Sequence, residues 1–171
     1  MFGPLLFTDC KRDRYKSSLD ALWVAQMFLT NAFLLPYMAI RLNESGKEKV
    51  SSKPSKLQSA MTNAKGASIV GIMGGAVCIA SAIWMFFGRE DCGFGSLKER
   101  WDFLVNYVGS ERLAYAFVWD ICLYMVFQPW LIGDNLANVE KGKVDVVRRA
   151  RFVPVLGLVA YLLCLDVEKQ Q

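Results

Sequence analysis

The sequence predicts an all-α integral membrane protein, a bundle of about four transmembrane helices with a short interfacial helix between the second and third. Three observations lead there. Of the 171 residues, 54% are hydrophobic and 13% aromatic, above the apolar share of about 45 to 50% usual in a soluble domain. Mean hydropathy is +0.26. The apolar residues also fall into four blocks, 19–42, 67–88, 113–133 and 152–165, separated by charged segments. Within lipid, each segment must satisfy its own backbone hydrogen bonds, which helices do and open sheets do not. The length suits one domain, so residues 1–171 are read as a single membrane domain.

The first eighteen residues, MFGPLLFTDCKRDRYKSS, contain no long apolar stretch followed by a small-residue cleavage site, so no secretory signal is expected. Block 19–42 carries only Asp20 and Arg41 as charges, both at its ends, with Pro36 interrupting it. Block 67–88 is uncharged and contains GIMGGAVCIASA, where Ala67, Gly71 and Gly75 offer a small-residue face for close helix packing. Block 113–133 has a single charge, Asp120, and a kink expected at Pro129. These three are long enough for a hydrocarbon core of about 30 Å. Block 152–165 covers only about 21 Å. It is expected to span by borrowing Val146, Val147 and the stems of Arg148, Arg149 and Arg151.

Two connectors differ in character. Residues 42–66, rich in Ser, Lys, Gly and Asn with Pro54 in the middle, read as a solvated linker. In SLKERWDFLVNYV, Ser96 precedes Glu99 by three residues, a capping-box spacing, and Leu97, Trp101, Leu104, Val105 and Val108 share one helical face. A helix over 97–108 is predicted, lying on the membrane surface or packed on a partner subunit.

With four spans, the loops 41–65 and 134–151 hold eleven Lys/Arg and five Asp/Glu. The amino end, the 89–112 loop and the carboxyl end hold nine and ten. The positive-inside rule then puts loops 41–65 and 134–151 on the cytoplasmic or stromal side and both termini on the other. Cys10 and Cys92 would share that other side, where an oxidising lumen permits them to pair.

The sequence contains no histidine, which removes imidazole acid–base catalysis and the usual haem ligation. It has no phosphate-binding loop, no G-x-G-x-x-G and no C-x-x-C among its five cysteines. No catalytic residues, no separate metal site and no nucleic-acid partner are expected. What remains is polar chemistry inside the blocks: Gln26, Thr30 and Asn31 in the first, Asp120 and Gln128 in the third. A carboxylate at bilayer depth costs about 2.5 to 3.5 kcal/mol on insertion scales, so Asp120 needs a partner or a task. Two uses are open. Asp120 pins the bundle through Asn31 or Gln26, or it ligates a hard metal such as the magnesium of a chlorophyll, for which Asn31, Gln26 and Gln128 are the other candidates.

The order of features also carries a resemblance. AFLLPYMAI closing the first block, a glycine-rich second block, SERLAYAF leading into the third, GDNLANVEKGKVD after it and RFVPVLGLVAYLL opening the last together resemble the plastid membrane proteins needed for neoxanthin formation, the ABA-deficient-4-like family. Members carry a histidine and an aspartate in the third span. The aligned positions here are Trp119 and Tyr124, with Asp120 displaced by one residue, about 100° around the helix. The resemblance therefore implies a thylakoid protein that holds pigment without transforming it: a non-catalytic subunit of a photosystem or antenna supercomplex contacting chlorophyll, carotenoid, membrane lipids and neighbouring subunits. The alternative it implies is an enzyme or assembly factor of carotenoid metabolism.

Overall fold

In the computed structural model the described residues are 2–15, 17–29, 31–42, 55–88 and 95–166. Among them the chain is helical throughout, with one isolated antiparallel bridge between Val139 and Leu165 and no strand. The helices are α1 (Phe2–Phe7), α2 (Leu19–Leu29), α3 (Asn31–Leu42), α4 (Lys56–Thr62), α5 (Ala64–Phe87), α6 (Leu97–Ser110), α7 (Arg112–Asp134), α8 (Val144–Ala150) and α9 (Leu156–Leu163).

Two helices match the second and third apolar blocks and are long and apolar enough to cross a membrane, α5 over Lys65–Phe87 and α7 over Arg112–Asp134. Asn63 starts α5 by accepting a bond from the Gly66 N–H, supplying one of the donors a helix start leaves without a partner. Ser55 does the same for α4, accepting from Gln58 N–H at 3.0 Å, while its own hydroxyl donates to Asp20 at 3.0 Å. The small-residue face of α5 meets α9. A Cβ built on Gly71 would lie 3.2 Å from Leu162 Cβ, and one on Gly75 would lie 3.3 Å from a Val159 methyl. Position 71 against 162 and 75 against 159 makes the two helices antiparallel.

The first block is described as two helices, α2 and α3, neither long enough by itself to cross a membrane, and the Arg14 guanidinium donates to the Arg41 carbonyl at 2.6 Å. A continuous helix over 19–42 would separate its ends by about 35 Å, more than the four or five residues between Arg14 and α2 can recover. The block is therefore a helical hairpin returning to the end where it began. Hydropathy measures how apolar a segment is and not its direction, so two short helices packed on other helices read like one long one.

The fourth block holds a helix shorter than a bilayer crossing needs. Its first residues, 152–155, form a turn, and α9 has only eight residues. Glu140 N–H donates to Cys164 O at 3.0 Å and Asp166 N–H to Asn138 O at 2.8 Å, so α9 ends beside the segment that follows α7. The two-sided placement of loops and termini depends on these spans and is not shown. Residues 8–14, 41, 134–140 and 164–166 lie together at one end of the bundle, and 95–112 lies at the other. Cys10 is a free thiol; Cys92, its expected partner, lies outside the described residues.

The predicted interfacial helix is present as α6, two residues longer than expected. Glu99 N–H donates to Ser96 Oγ at 3.2 Å and Ser96 N–H to Glu99 Oε2 at 2.9 Å, the reciprocal capping box. None of its residues is buried. It meets the end of α5, where Arg100 donates to Met85 O at 2.9 Å, and leaves Leu97, Trp101 and Val105 uncovered.

Gly71→Leu should lower the stability of the detergent-solubilised protein by about 1 to 3 kcal/mol, because the added side chain overpacks the α5–α9 contact. Gly109→Ala in α6, where a Cβ meets nothing within 4 Å, should leave it unchanged or raised by up to about 1 kcal/mol. Thermal unfolding followed by circular dichroism distinguishes these outcomes.

Candidate functional site

Two polar regions stand out, and the first is a buried ionic cluster. Asp9 follows α1 and is 2% exposed; Arg41, in the last turn of α3, is also 2% exposed. Arg41 Nε donates to Asp9 Oδ2 at 2.7 Å and Arg41 Nη2 to Oδ1 at 2.9 Å, a bidentate pair. Tyr37, one turn before Arg41, donates its hydroxyl to Asp9 Oδ2 at 2.5 Å. From the end of α7, Asn135 donates to Asp9 Oδ1 at 3.1 Å and accepts from Cys10 N–H at 2.8 Å. Asp134 receives Arg41 Nη1 and Lys11 Nζ, each at 2.8 Å. Beside it, the Thr8 and Tyr161 hydroxyls share a hydrogen bond of 3.0 Å, and Asn138 donates to Thr8 O at 2.8 Å.

This cluster explains why charge is tolerated here. Burial alone raises the pKa of the Asp9 carboxyl, but the bonds from Arg41, Tyr37 and Asn135 outweigh it and hold the group below the ordinary carboxylate range. The carboxylate has its acceptors filled and the guanidinium most of its donors. The cluster's buried acid and base are bonded to each other, and the exposed Cys10 thiol at its edge donates to Asp134 O at 3.5 Å.

The second region centres on Gln26 and Gln128. Gln128, in α7, is buried, and its amide nitrogen donates to Arg151 O and Val153 O, both at 3.0 Å. Its oxygen accepts from Val155 N–H at 3.2 Å. That clamp holds a strained turn: Val155 has φ 63° and ψ −55°, an uncommon conformation for a β-branched residue. Leu156 N–H closes the turn on Pro154 O at 2.7 Å. Next to the clamp lies a cavity of about 370 Å³, walled by Phe2, Gly3, Trp23, Gln26, Tyr124 and Leu158 among others, with Gln128 at its edge.

The four candidate ligands therefore part company. Gln26 and Gln128 share the cavity, but Gln128 is fully engaged with backbone. Gln26 is 7% exposed, and its Nε2 has no partner among the described residues. The Asp120 carboxyl therefore accepts no bond from that nitrogen. Asp120 is half-buried on α7, two turns from Gln128, and is not part of the cavity wall. Asn31 begins α3; its side chain lies outside what is described. Gln128, held by the backbone of 151–155, and Asp120, away from the cavity wall, do not meet in one site.

The ionic cluster was missed from sequence. Its signal is that Arg41 and Asp134 stand flush with the ends of apolar blocks and Asp9 directly follows PLLFT. These are boundary charges that ordinary interfacial placement explains equally well, and their pairing depends on the fold-back of α2 and α3.

Comparison with known proteins finds no family model, no curated protein and no solved structure that matches the chain.

Arg41→Met should destabilise the fold by about 3 to 5 kcal/mol by leaving Asp9 buried without its counter-charge. Adding Asp9→Asn should recover part of that loss, measured by reversible unfolding in mixed micelles. Because folding lowers the Asp9 pKa, its contribution is present above the unfolded value of about 3.9 and fades as pH falls through the lower folded value. Unfolding free energy should be level from about pH 5 to 7 and fall below about pH 4, and the Asp9→Asn variant should keep only the part of that acid limb owed to other carboxyls such as Asp134, which burial raises but Lys11 and Arg41 hold low.

Proposed function

We propose that the chain is a non-catalytic integral membrane subunit, anchored by α5 and α7, that presents apolar helix faces to lipid and to neighbouring subunits. One observation carries this reading. The core helix of a soluble protein is mostly covered by its own chain, yet the most apolar stretch of α5 is 6% buried and that of α7 is 22% buried. So much uncovered apolar surface on two long helices requires an apolar surrounding. The non-catalytic part is supported by the absence of histidine and by buried acids and bases that are consumed in bonds to each other.

Charge suggests an orientation. The end holding the ionic cluster carries eleven Lys/Arg and seven Asp/Glu among the described residues, and residues 95–112 carry three of each. The positive-inside rule favours the cluster end, with the segments leading to both termini, on the side of synthesis.

The finer reading, a thylakoid subunit of a pigment–protein complex, rests on the family resemblance. Of the residues first considered for a chlorophyll magnesium, Gln128 is engaged and Asp120 lies apart from the cavity. Any pigment would be held by apolar and aromatic surface instead. An absorption spectrum of protein purified in mild detergent tests this reading: co-purified chlorophyll or carotenoid bands support it, and a colourless assembled complex contradicts it.

For the membrane reading, single cysteines at Ser17, Gly109 and Gly142 are placed in a chain whose five native cysteines are serine. In sealed vesicles an impermeant thiol reagent should label positions 17 and 142 from one face and 109 from the other. Four spans would instead group 17 with 109. Labelling of all three from one face without lysis would contradict a membrane-spanning chain.

A further inference from the structure

The cavity beside the Gln128 clamp has features of a ligand site that the subunit role does not use. Its volume of about 370 Å³ falls in the range of small-molecule pockets, which are mostly apolar with a few placed polar groups. Phe2, Trp23 and Leu158 supply apolar wall, and Met27 and Met125, 66% and 49% exposed, stand at its mouth. Gly3 keeps the wall compact, because a Cβ there would fall 2.5 Å from the Trp23 ring nitrogen.

The polar group that matters is Gln26. It is more than nine-tenths buried, lines the cavity and carries an amide nitrogen with no partner among the described residues. Buried polar groups are nearly always bonded, so such an exception calls for an explanation. Gln128 cannot answer it, since both ends of its amide are held by residues 151–155. An ordered water needs about two to four polar partners, and the lining near Gln26 is mainly apolar. The nitrogen has almost no accessible surface as it stands, so it meets a ligand after rotation of the carboxamide about its last bond, which exchanges nitrogen and oxygen within the same volume and turns the N–H donor toward the cavity. Tyr124 belongs to the same lining, its ring centroid 4.7 Å from that of Phe2.

We infer that this cavity binds the oxygen-bearing end of an apolar molecule, a ring or chain terminating in a carbonyl or hydroxyl that accepts from the Gln26 amide while its body lies against Phe2, Trp23 and Leu158. Two sources share that chemistry: a ring carbonyl with an apolar tail, and the ester or hydroxyl of an acyl lipid. The inference stands apart from the membrane reading, because binding is measured in detergent and does not depend on how α5 and α7 are inserted.

The test titrates purified protein with a decyl-tailed benzoquinone, following quenching of tryptophan fluorescence, with monodecanoylglycerol as competitor and dodecane as the oxygen-free control. Saturable quenching is expected that dodecane does not relieve. Efficient displacement by monodecanoylglycerol assigns the site to acyl lipid, and weak displacement assigns it to the ring carbonyl. Gln26→Leu should weaken binding about tenfold, the value of one hydrogen bond, without lowering the melting temperature. Met125→Trp, at the exposed mouth, should block entry and abolish saturation; it carries the test if Gln26→Leu fails to fold. Absence of saturable binding by either probe, displacement by dodecane, or equal affinity in wild type and both variants would overturn the inference.

Discussion

The bidentate pair between Arg41 and Asp9, both nearly inaccessible to solvent, is the interaction on which the rest of this structure depends. Removing two charges from water is costly, and attraction offsets that cost only where geometry is good and the remaining donors and acceptors are filled. Here Tyr37, Asn135 and Asp134 fill them. Satisfying one carboxylate thus fixes three segments distant in sequence: the turn after α1, the end of α3 and the end of α7. Thr8 with Tyr161, and Asn138 with the Thr8 carbonyl, extend the tie to α9.

That convergence dictates an uneven architecture. Because residues 9, 41 and 134 must meet, α2 and α3 fold back on each other, and α9 returns beside the segment after α7. The short helices gather around one half of α5 and α7, and the other halves run on to α6 with little cover. Two further devices hold the short helices in place. Gly71 and Gly75 let α9 approach α5 closely, in the manner of small-residue faces in membrane bundles. Gln128 replaces a stretch of missing helical hydrogen bonding by binding the backbone of 151–155 through both ends of its amide. The cavity lies where α1, α2, α7 and α9 fail to close completely, which is why a buried amide such as Gln26 can remain without a partner there.

Much of this was legible in the sequence wherever the signal is local. The uncharged run 67–88 and the run 113–133 are helices α5 and α7, displaced by only a few residues at their ends. The Ser96–Glu99 spacing gave the start of α6, and the small-residue face of Ala67, Gly71 and Gly75 gave a packing surface. What was not legible is non-local. Nothing in 19–42 announces that its two ends return to one place, since Pro36 lies inside α3 and the contacts that bring them together are made by Asp9 and Arg14. The block 152–165 has the composition of a span, but its clamp is a glutamine 23 to 27 residues away. Among the expected site residues, Gln26 and Gln128 do share a cavity, though one is structural and the amide nitrogen of the other has no partner among the described residues, a difference that depends on backbone atoms the sequence does not place.

The most direct measurement is the distance between spin labels at Ser18 and Leu42, both exposed, by pulsed electron paramagnetic resonance in bilayers or detergent. A hairpin closed by Arg41 on Asp9 brings these positions within about 20 Å, whereas one helix through the block holds them about 36 Å apart. The short distance, lengthening or broadening when Arg41 is replaced by Met, is the predicted result. A single sharp population near the long distance in the unsubstituted protein would contradict the fold-back and the ionic cluster that depends on it.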